Sequence, residues 1–354
     1  MTKLPETMKA LVAYTPDHYV LETAWPRPKA GPGEIVIKVE ACGVCAGDVK
    51  ARHGAARFWD SYVIPPFIPG HEFVGYVAEL GDGVTDFAIG DRVVSEQIVP
   101  CGKCLFCQTG RYWMCEIHDV YGFKDRVNGG MAEYMRLPAM ARTFRIPDDM
   151  PIEKAVLIEP FGCSKHAVDR AQIGLEDVVV ISGCGTLGLG MVGIAHLKQP
   201  KILIALDMKD DRLAKAREFG ADLVWNPANV DVEKEVKKLT GGYGCDIYIE
   251  ATGHPASVSQ GMSMIRKLGR FVEFSVFGQP TQLDWSIISD EKELDVLGSH
   301  LSPYCFPPVI EWIDQDKIGT AGVVGEILPL ADWQTAFDIA GSGEGGVFKV
   351  VLKP

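Results

Sequence analysis

The chain has 354 residues, of which 47% are apolar and 23% charged, with a formal charge of −12. That length is long for a single hydrophobic core and comfortable for two domains, and the composition is that of an ordinary water-soluble globular protein. The acidic balance repels phosphate backbones and anionic lipid, and no block of Lys and Arg offsets it, so neither nucleic acid nor a membrane surface is an expected partner.

Residues 1–10, MTKLPETMKA, lack an apolar segment followed by a small-residue cleavage site, so no signal peptide is expected there. The first ~155 residues lean towards β structure. Gly33 to Cys45, Glu72 to Gly81 and Asp91 to Val99 each read as a strand, and Gly and Pro punctuate the runs. Cys101, Cys104, Cys107 and Cys115 follow in the pattern C-x2-C-x2-C-x7-C. Four thiolates on one short loop can close a tetrahedron around zinc with no open position, the character of a structural site. A zinc ribbon for nucleic acid is the rival reading, and the acidic charge opposes it. The other cysteines are scattered, so reduced thiols and a cytoplasmic location are expected.

After Glu159 the rhythm changes. Val178 to Ala195 approaches the length of a membrane span, but its glycines divide it into a β-branched strand, Val178 to Ser182, and a helix, Thr186 to Leu197. Strands are expected at Lys201 to Leu206, Cys245 to Glu250, Arg270 to Val276 and Leu294 to Leu297. Helices are expected at Asp210 to Phe219, Val232 to Leu239 and Pro255 to Lys267. Alternation of this kind means an α/β fold with a doubly wound parallel sheet. The last ~50 residues revert to mixed structure and return to the first domain.

Gly183, Gly185 and Gly188 form G-x-G-x-x-G between that first strand and helix. The first glycine permits the tight turn, the second lets a pyrophosphate approach the backbone, and the third lets helix and strand pack closely. Thr186 and Leu187 at the helix mouth belong to the same expected contact set, with Thr252 and Ser275 after later strands. Asp207 ends the next strand and would accept hydrogen bonds from ribose hydroxyls while repelling a 2′-phosphate, which favours NAD over NADP. A helix N-terminal charge is the bland alternative for Asp207. An S-adenosylmethionine site would use a similar turn, but nothing else in the chain supports methyl transfer.

Cys45 ends CGVC, and Gly70-His71-Glu72 opens another strand. A thiolate, an imidazole and a carboxylate can hold zinc with one position left open, as a catalytic zinc requires. By spacing alone, a lone Cys and a lone His are more often core residues.

With these residues in hand, the chain resembles the zinc-containing medium-chain alcohol and polyol dehydrogenases along essentially its whole length. GVCAGD (Gly43 to Asp48), GHEFVG (Gly70 to Gly75), the four-cysteine loop, IEP (Ile158 to Pro160), SGCGTLG (Ser182 to Gly188) and DMKDDR (Asp207 to Arg212) carry the likeness, in that order. The resemblance implies a β-rich GroES-like catalytic domain, residues 1–159 and 298–354, and a Rossmann domain, residues 160–297. It implies a catalytic zinc on Cys45 and His71, with Glu72 and Glu159 ligating directly or through water. Asp48 would orient His71, Arg212 would lie near the adenosine ribose, and Lys349 would reach the pyrophosphate, surface charge being the alternative for both cations. Where the family commonly carries Ser or Thr to pass on the substrate proton, this chain has Gly47, and where His is frequent it has Lys50. Ordered water, Glu72 or Lys50 is expected to complete the relay. IEP resembles the sorbitol, xylitol and threonine branch, yet the Arg-Tyr pair of sorbitol dehydrogenases is missing after Leu297. The implied activity is NAD-linked oxidation of a secondary hydroxyl on a short sugar alcohol such as a tetritol, with another secondary alcohol, a diol or L-threonine as alternatives. A zinc-free reductase and a non-catalytic NAD-binding regulator are the rival classes. Tyr121, Phe123 and His300 are candidate pocket residues, and a homodimer or homotetramer is implied.

Overall fold

A computed structural model describes residues 3–60, 62–343 and 346–354, and the chain divides into two compact units. The first runs to Glu159 and takes in Ser302–Asp314 and Thr320–Pro354; the second is Pro160–Leu301 with Gln315–Gly319. Relative to the boundaries expected from sequence, the segments 298–301 and 315–319 group with the second unit.

The first unit opens with a hairpin, β1 (Thr7–Thr15) and β2 (His18–Pro26). Then come β3 (Ile35–Val44), the short helix α1 (Ala46–Arg52), β4 (Glu72–Leu80), β5 (Arg92–Ser95), β6 (Ile98–Val99), β7 (Asp119–Val120), β8 (Tyr134–Leu137) and β9 (Thr143–Arg145). The run Asp91 to Val99 is therefore two strands, not one. β5 belongs to the main sheet, whereas β6 pairs only with β7. The break has a physical cause. Glu96 and Gln97 between the strands are buried polar residues that turn to partners elsewhere: Glu96 accepts from the Tyr112 hydroxyl at 2.6 Å, and Gln97 from Ser302 Oγ at 2.6 Å.

The second unit carries β10 (Val178–Ser182), β11 (Ile202–Leu206), β12 (Leu223–Trp225), β13 (Cys245–Glu250), β14 (Ile265–Glu273) and β15 (Asp295–Gly298), all parallel, in the order β12-β11-β10-β13-β14-β15. Every residue of β10 is buried, as expected of a parallel strand covered on both faces. The helix expected over Pro255 to Lys267 stops at Met264, and Ile265 already belongs to β14. Lys292 fixes that end by donating to the carbonyls of Met262, Ser263 and Ile265, which lack intrahelical partners. β14 closes at Glu273, so Phe274 to Val276 form loop rather than strand.

The chain then returns to the first unit as β16 (Val324–Pro329) and β17 (Lys349–Lys353). β17 pairs antiparallel with β3, completing a sheet of order β16-β17-β3-β4-β5-β9, with β8 on β3. Among the described residues no helix is long and apolar enough to cross a membrane.

Candidate active site

The end of β3, the start of β4 and the start of β17 lie side by side, with Val350 opposite Val44 and Gly43 opposite Glu72. That pairing gathers residues far apart in sequence. Cys45 is the N-cap of α1: its sulfur accepts from Gly47 N–H at 3.4 Å, while Asp48 Oδ2 accepts from Cys45 N–H at 2.9 Å. Ligand atoms of Cys45, His71 and Glu72 all lie within 4.8 Å of one another, and His71 and Glu72 are buried.

Asp48 Oδ1 sits 3.8 Å from His71 Nδ1, an ion-pair separation rather than a hydrogen bond, and neither atom has a hydrogen-bond partner. Burial pulls the His71 pKa down, but Asp48, Cys45 and Glu159 outweigh it and hold it well above the usual imidazole range. Burial raises the Asp48 carboxyl against the pull of His71. Glu159 is buried near enough to act on His71 and Lys349, but it is not among the three groups with converging ligand atoms.

Lys349, expected at a pyrophosphate, is placed in this group: its Nζ is 2.6 Å from the Glu72 carboxylate and 3.3 Å from the Val44 carbonyl. Burial lowers its pKa and Glu72 more than restores it. Three carboxyl groups, Asp48, Glu72 and Glu159, act on Lys349 and His71, and the donors are a cysteine sulfur, an imidazole and a carboxylate. Both features fit a borderline divalent cation, zinc first, held by three side chains with a fourth position left over.

Aromatic rings wall the group. Phe123 stacks on His71 with ring centroids 5.5 Å apart and on Phe58 at 5.7 Å, and Tyr62 meets Phe123 edge-on. A Cβ on Gly47 would lie 3.7 to 4.0 Å from Cys45 Sγ, Phe123 and Phe58, in ordinary contact. Lys50 is exposed on α1. Tyr121 is core, fully buried edge-on against Phe73, and His300 is exposed in the second unit.

The sulfurs of Cys101, Cys104, Cys107 and Cys115 also lie within 4.8 Å of one another, close to the ~3.8 Å edge of a zinc-thiolate tetrahedron. Backbone N–H donors lower the Cys101 thiol and bring Cys104 to about 6, whereas burial pushes Cys107 up to about 12. Four thiols with amide donors aimed at them fit a closed zinc site.

In the second unit Gly183 has φ +101°, open to glycine at little cost. A Cβ on Gly188 would come within 1.8 Å of the Gly183 carbonyl oxygen, so helix and turn touch only because residue 188 is glycine. A Cβ on Gly185 would meet nothing nearer than Arg212 Nη1 at 4.0 Å, which leaves a cradle at the helix mouth. Asp207 accepts from Cys184 N–H at 2.8 Å and Lys209 N–H at 2.9 Å, and Arg212 lies 3.9 Å from it. Thr252 donates to Glu250, a residue the sequence reading missed. Its signal is an acidic residue directly after the apolar run Ile247-Tyr248-Ile249, where burial and charge conflict.

Residues 31–148 match the alcohol dehydrogenase GroES-like domain family, and residues 186–315 the zinc-binding dehydrogenase family. The chain is 51% identical to an erythritol/L-threitol dehydrogenase of Mycolicibacterium smegmatis, over 99% of both chains. It is 32% identical to a sorbitol dehydrogenase of Halalkalibacterium halodurans, over 98% of this chain and 99% of the other. A crystal structure of an E. coli alcohol dehydrogenase complexed with NADH superposes with a TM-score of 0.89 at 26% identity, covering 99% and 100% of the two chains.

Proposed function

Since the chain belongs to the zinc-binding alcohol dehydrogenase family, with its GroES-like and Rossmann-like domains, we propose that it oxidises a secondary hydroxyl of a four-carbon polyol to a ketone with NAD. The observation that carries this is the convergence of Cys45, His71 and Glu72 in a chain 51% identical to an erythritol/L-threitol dehydrogenase. We assign the catalytic zinc to these three residues, with Glu159 as the nearby carboxylate, and the structural zinc to Cys101, Cys104, Cys107 and Cys115. When bound, zinc supplies Lewis acidity that makes a hydroxyl easier to deprotonate, and the dinucleotide takes up the hydride.

The remaining work falls to the chain itself. Asp48 fixes the Cys45 backbone through the α1 capping box and sets a negative charge behind His71. Lys349 holds Glu72, so that this carboxylate is shared between an ammonium and the metal group. Phe123 and Phe58 keep water from one side of His71 and offer an apolar face to the carbon skeleton of the polyol. Beside them, Gly47 carries no hydroxyl to hand on a proton, and ordered water fills that role, with Lys50 on the exposed rim of α1 as the alternative. Gly183, Gly185, Thr186, Leu187 and Gly188 receive the pyrophosphate, Asp207 and Arg212 the adenosine ribose, and Thr252 and Ser275 flank the crevice. Asp207 favours NAD. The protein works in the cytoplasm, as a homo-oligomer.

The deciding experiment is a panel of two- to six-carbon polyols with NAD⁺ and NADP⁺, read by absorbance of the reduced nucleotide. Turnover is expected with erythritol or threitol and NAD⁺. No turnover of any polyol by a zinc-replete, NADH-binding chain sinks the assignment.

A further inference from the structure

β13 ends on a carboxylate to which the reading above gives no task. Glu250 has no exposed surface. Its side chain turns back on the loop that follows. Oε1 accepts from Thr252 N–H at 2.8 Å, from Gly253 N–H at 3.2 Å and from the Thr252 hydroxyl, and Oε2 faces Gly253 N–H at 3.3 Å. All of these partners are neutral donors. A buried carboxylate is tolerable only when donors converge on it, so charge and loop conformation hold each other in place.

The loop in question abuts the glycine turn. A Cβ on Gly183 would lie 2.8 Å from the Ala251 carbonyl and 3.0 Å from Thr252 Cγ2. Ala251 N–H donates to the Ser182 carbonyl at 2.8 Å, and on the far side Phe274 N–H donates to the Glu250 carbonyl at 3.3 Å. Glu250 is thus a joint between the ends of β10, β13 and β14. β10 and β13 are neighbours across the point where the strand order reverses, the place where open parallel sheets bind ligands.

We propose that Glu250 is a positioning residue for the dinucleotide: its carboxyl group fixes residues 251–253 as a wall of the cofactor crevice against the glycine turn. This rests on the cofactor reading above. A carboxylate suits this place better than an amide, because a glutamine that keeps its oxygen at the Oε1 position would turn an NH2 donor towards the Gly253 N–H, where Oε2 presents an acceptor.

The test uses the full-length, zinc-loaded protein with NADH as probe, titrated by fluorescence. Glu250→Gln is expected to raise the Kd for NADH and the KM for NAD⁺ about ten-fold, with kcat at saturating NAD⁺ and zinc content unchanged. A purely structural role would lower the melting temperature without this split. Thr252→Val, which keeps the carboxylate and removes one donor, is expected to weaken NADH in the same sense. It decides the matter if Glu250→Gln does not fold. Wild-type NADH binding with an unaltered Kd in the variant overturns the proposal alone. A wild-type chain that binds no NADH overturns the cofactor reading and this proposal with it.

Discussion

Asp48 does two jobs with one carboxylate. Oδ2 satisfies the Cys45 amide, and Oδ1 places negative charge 3.8 Å from the His71 ring. In Asp48→Asn the amide oxygen can still cap Cys45, but the charge behind the imidazole is gone. Zinc affinity at this site is expected to fall by about 10- to 100-fold. Chelator titration with zinc analysis reads this directly: one zinc should leave earlier than in the wild type while the four-cysteine zinc stays. Identical release curves for the two proteins would remove Asp48 from metal positioning. Gly47 gives the converse case. Its surroundings admit a Cβ at ordinary contact distances, so Gly47→Ser is expected to fold with unchanged or slightly higher stability in thermal melts. A fall in melting temperature would show that the space beside Phe123 is tighter than the geometry says. The four-cysteine loop and the glycine turn were legible from their spacing, whereas Cys45 and His71, a lone cysteine and a lone histidine by spacing, were legible through the family resemblance. Phe123 over His71, Lys349 on Glu72 and the buried Glu250 were not, because those contacts join segments whose side-chain directions no local spacing encodes.

At the scale of elements, the four-cysteine loop is tied to the body of its unit by one polar cluster. Tyr112 lies between Cys107 and Cys115, and its hydroxyl donates to the buried Glu96 and accepts from Tyr304 N–H at 2.9 Å. Arg142 covers the Tyr112 ring and reaches Glu96 at 3.2 Å. Tyr112→Phe leaves Glu96 and the Tyr304 amide short of a partner, a cost of about 1–3 kcal/mol. Faster zinc loss from the cysteine loop in a chelator assay should accompany it, and unchanged release would detach the cluster from the loop. His166, on the helix Ile158–Ala171, donates from Nδ1 towards the carbonyls of His300 and Leu301, both at 3.1 Å. Burial lowers its pKa more than those carbonyls raise it. The native state therefore favours the neutral ring. The stability this contributes is full above the unfolded value of about 6.5 and is lost as the pH falls through the lower folded value. Urea melts of His166→Gln and wild type should differ more at neutral pH than in acid; a constant gap would refute the assignment. The periodic elements around these devices were readable almost to the residue, since Val178–Ser182 and Thr186–Leu197 follow from β-branched and glycine-bounded runs. The elements that departed, Asp91 to Val99 and the end of the helix after Pro255, broke where buried polar groups or a distant lysine took backbone or side-chain partners across the fold.

Over the whole molecule, chemistry is divided between the units. Both groups of converging metal ligands belong to the first unit, and the second, among the described residues, contributes none. The glycine turn, Asp207 and Glu250 all belong to the second. Ligands that bind only the native state stabilise what they bind, by about 2.7 kcal/mol when present at 100 times Kd. Zinc and dinucleotide should therefore protect different parts of the chain. Amide hydrogen exchange resolved by peptide checks this. Chelation is expected to speed exchange around β3, β4 and the Cys101–Cys115 loop, with little change in β10 to β13. Saturating NADH is expected to slow exchange at the Gly183 turn and residues 251–253, even in chelated protein. The second half of that expectation is the sharper one, since the cradle is built from backbone and carboxylates of one unit with no metal ligand among them. If chelated protein loses all NADH protection at the glycine turn, the dinucleotide cradle is not the self-sufficient structure that its hydrogen bonds describe.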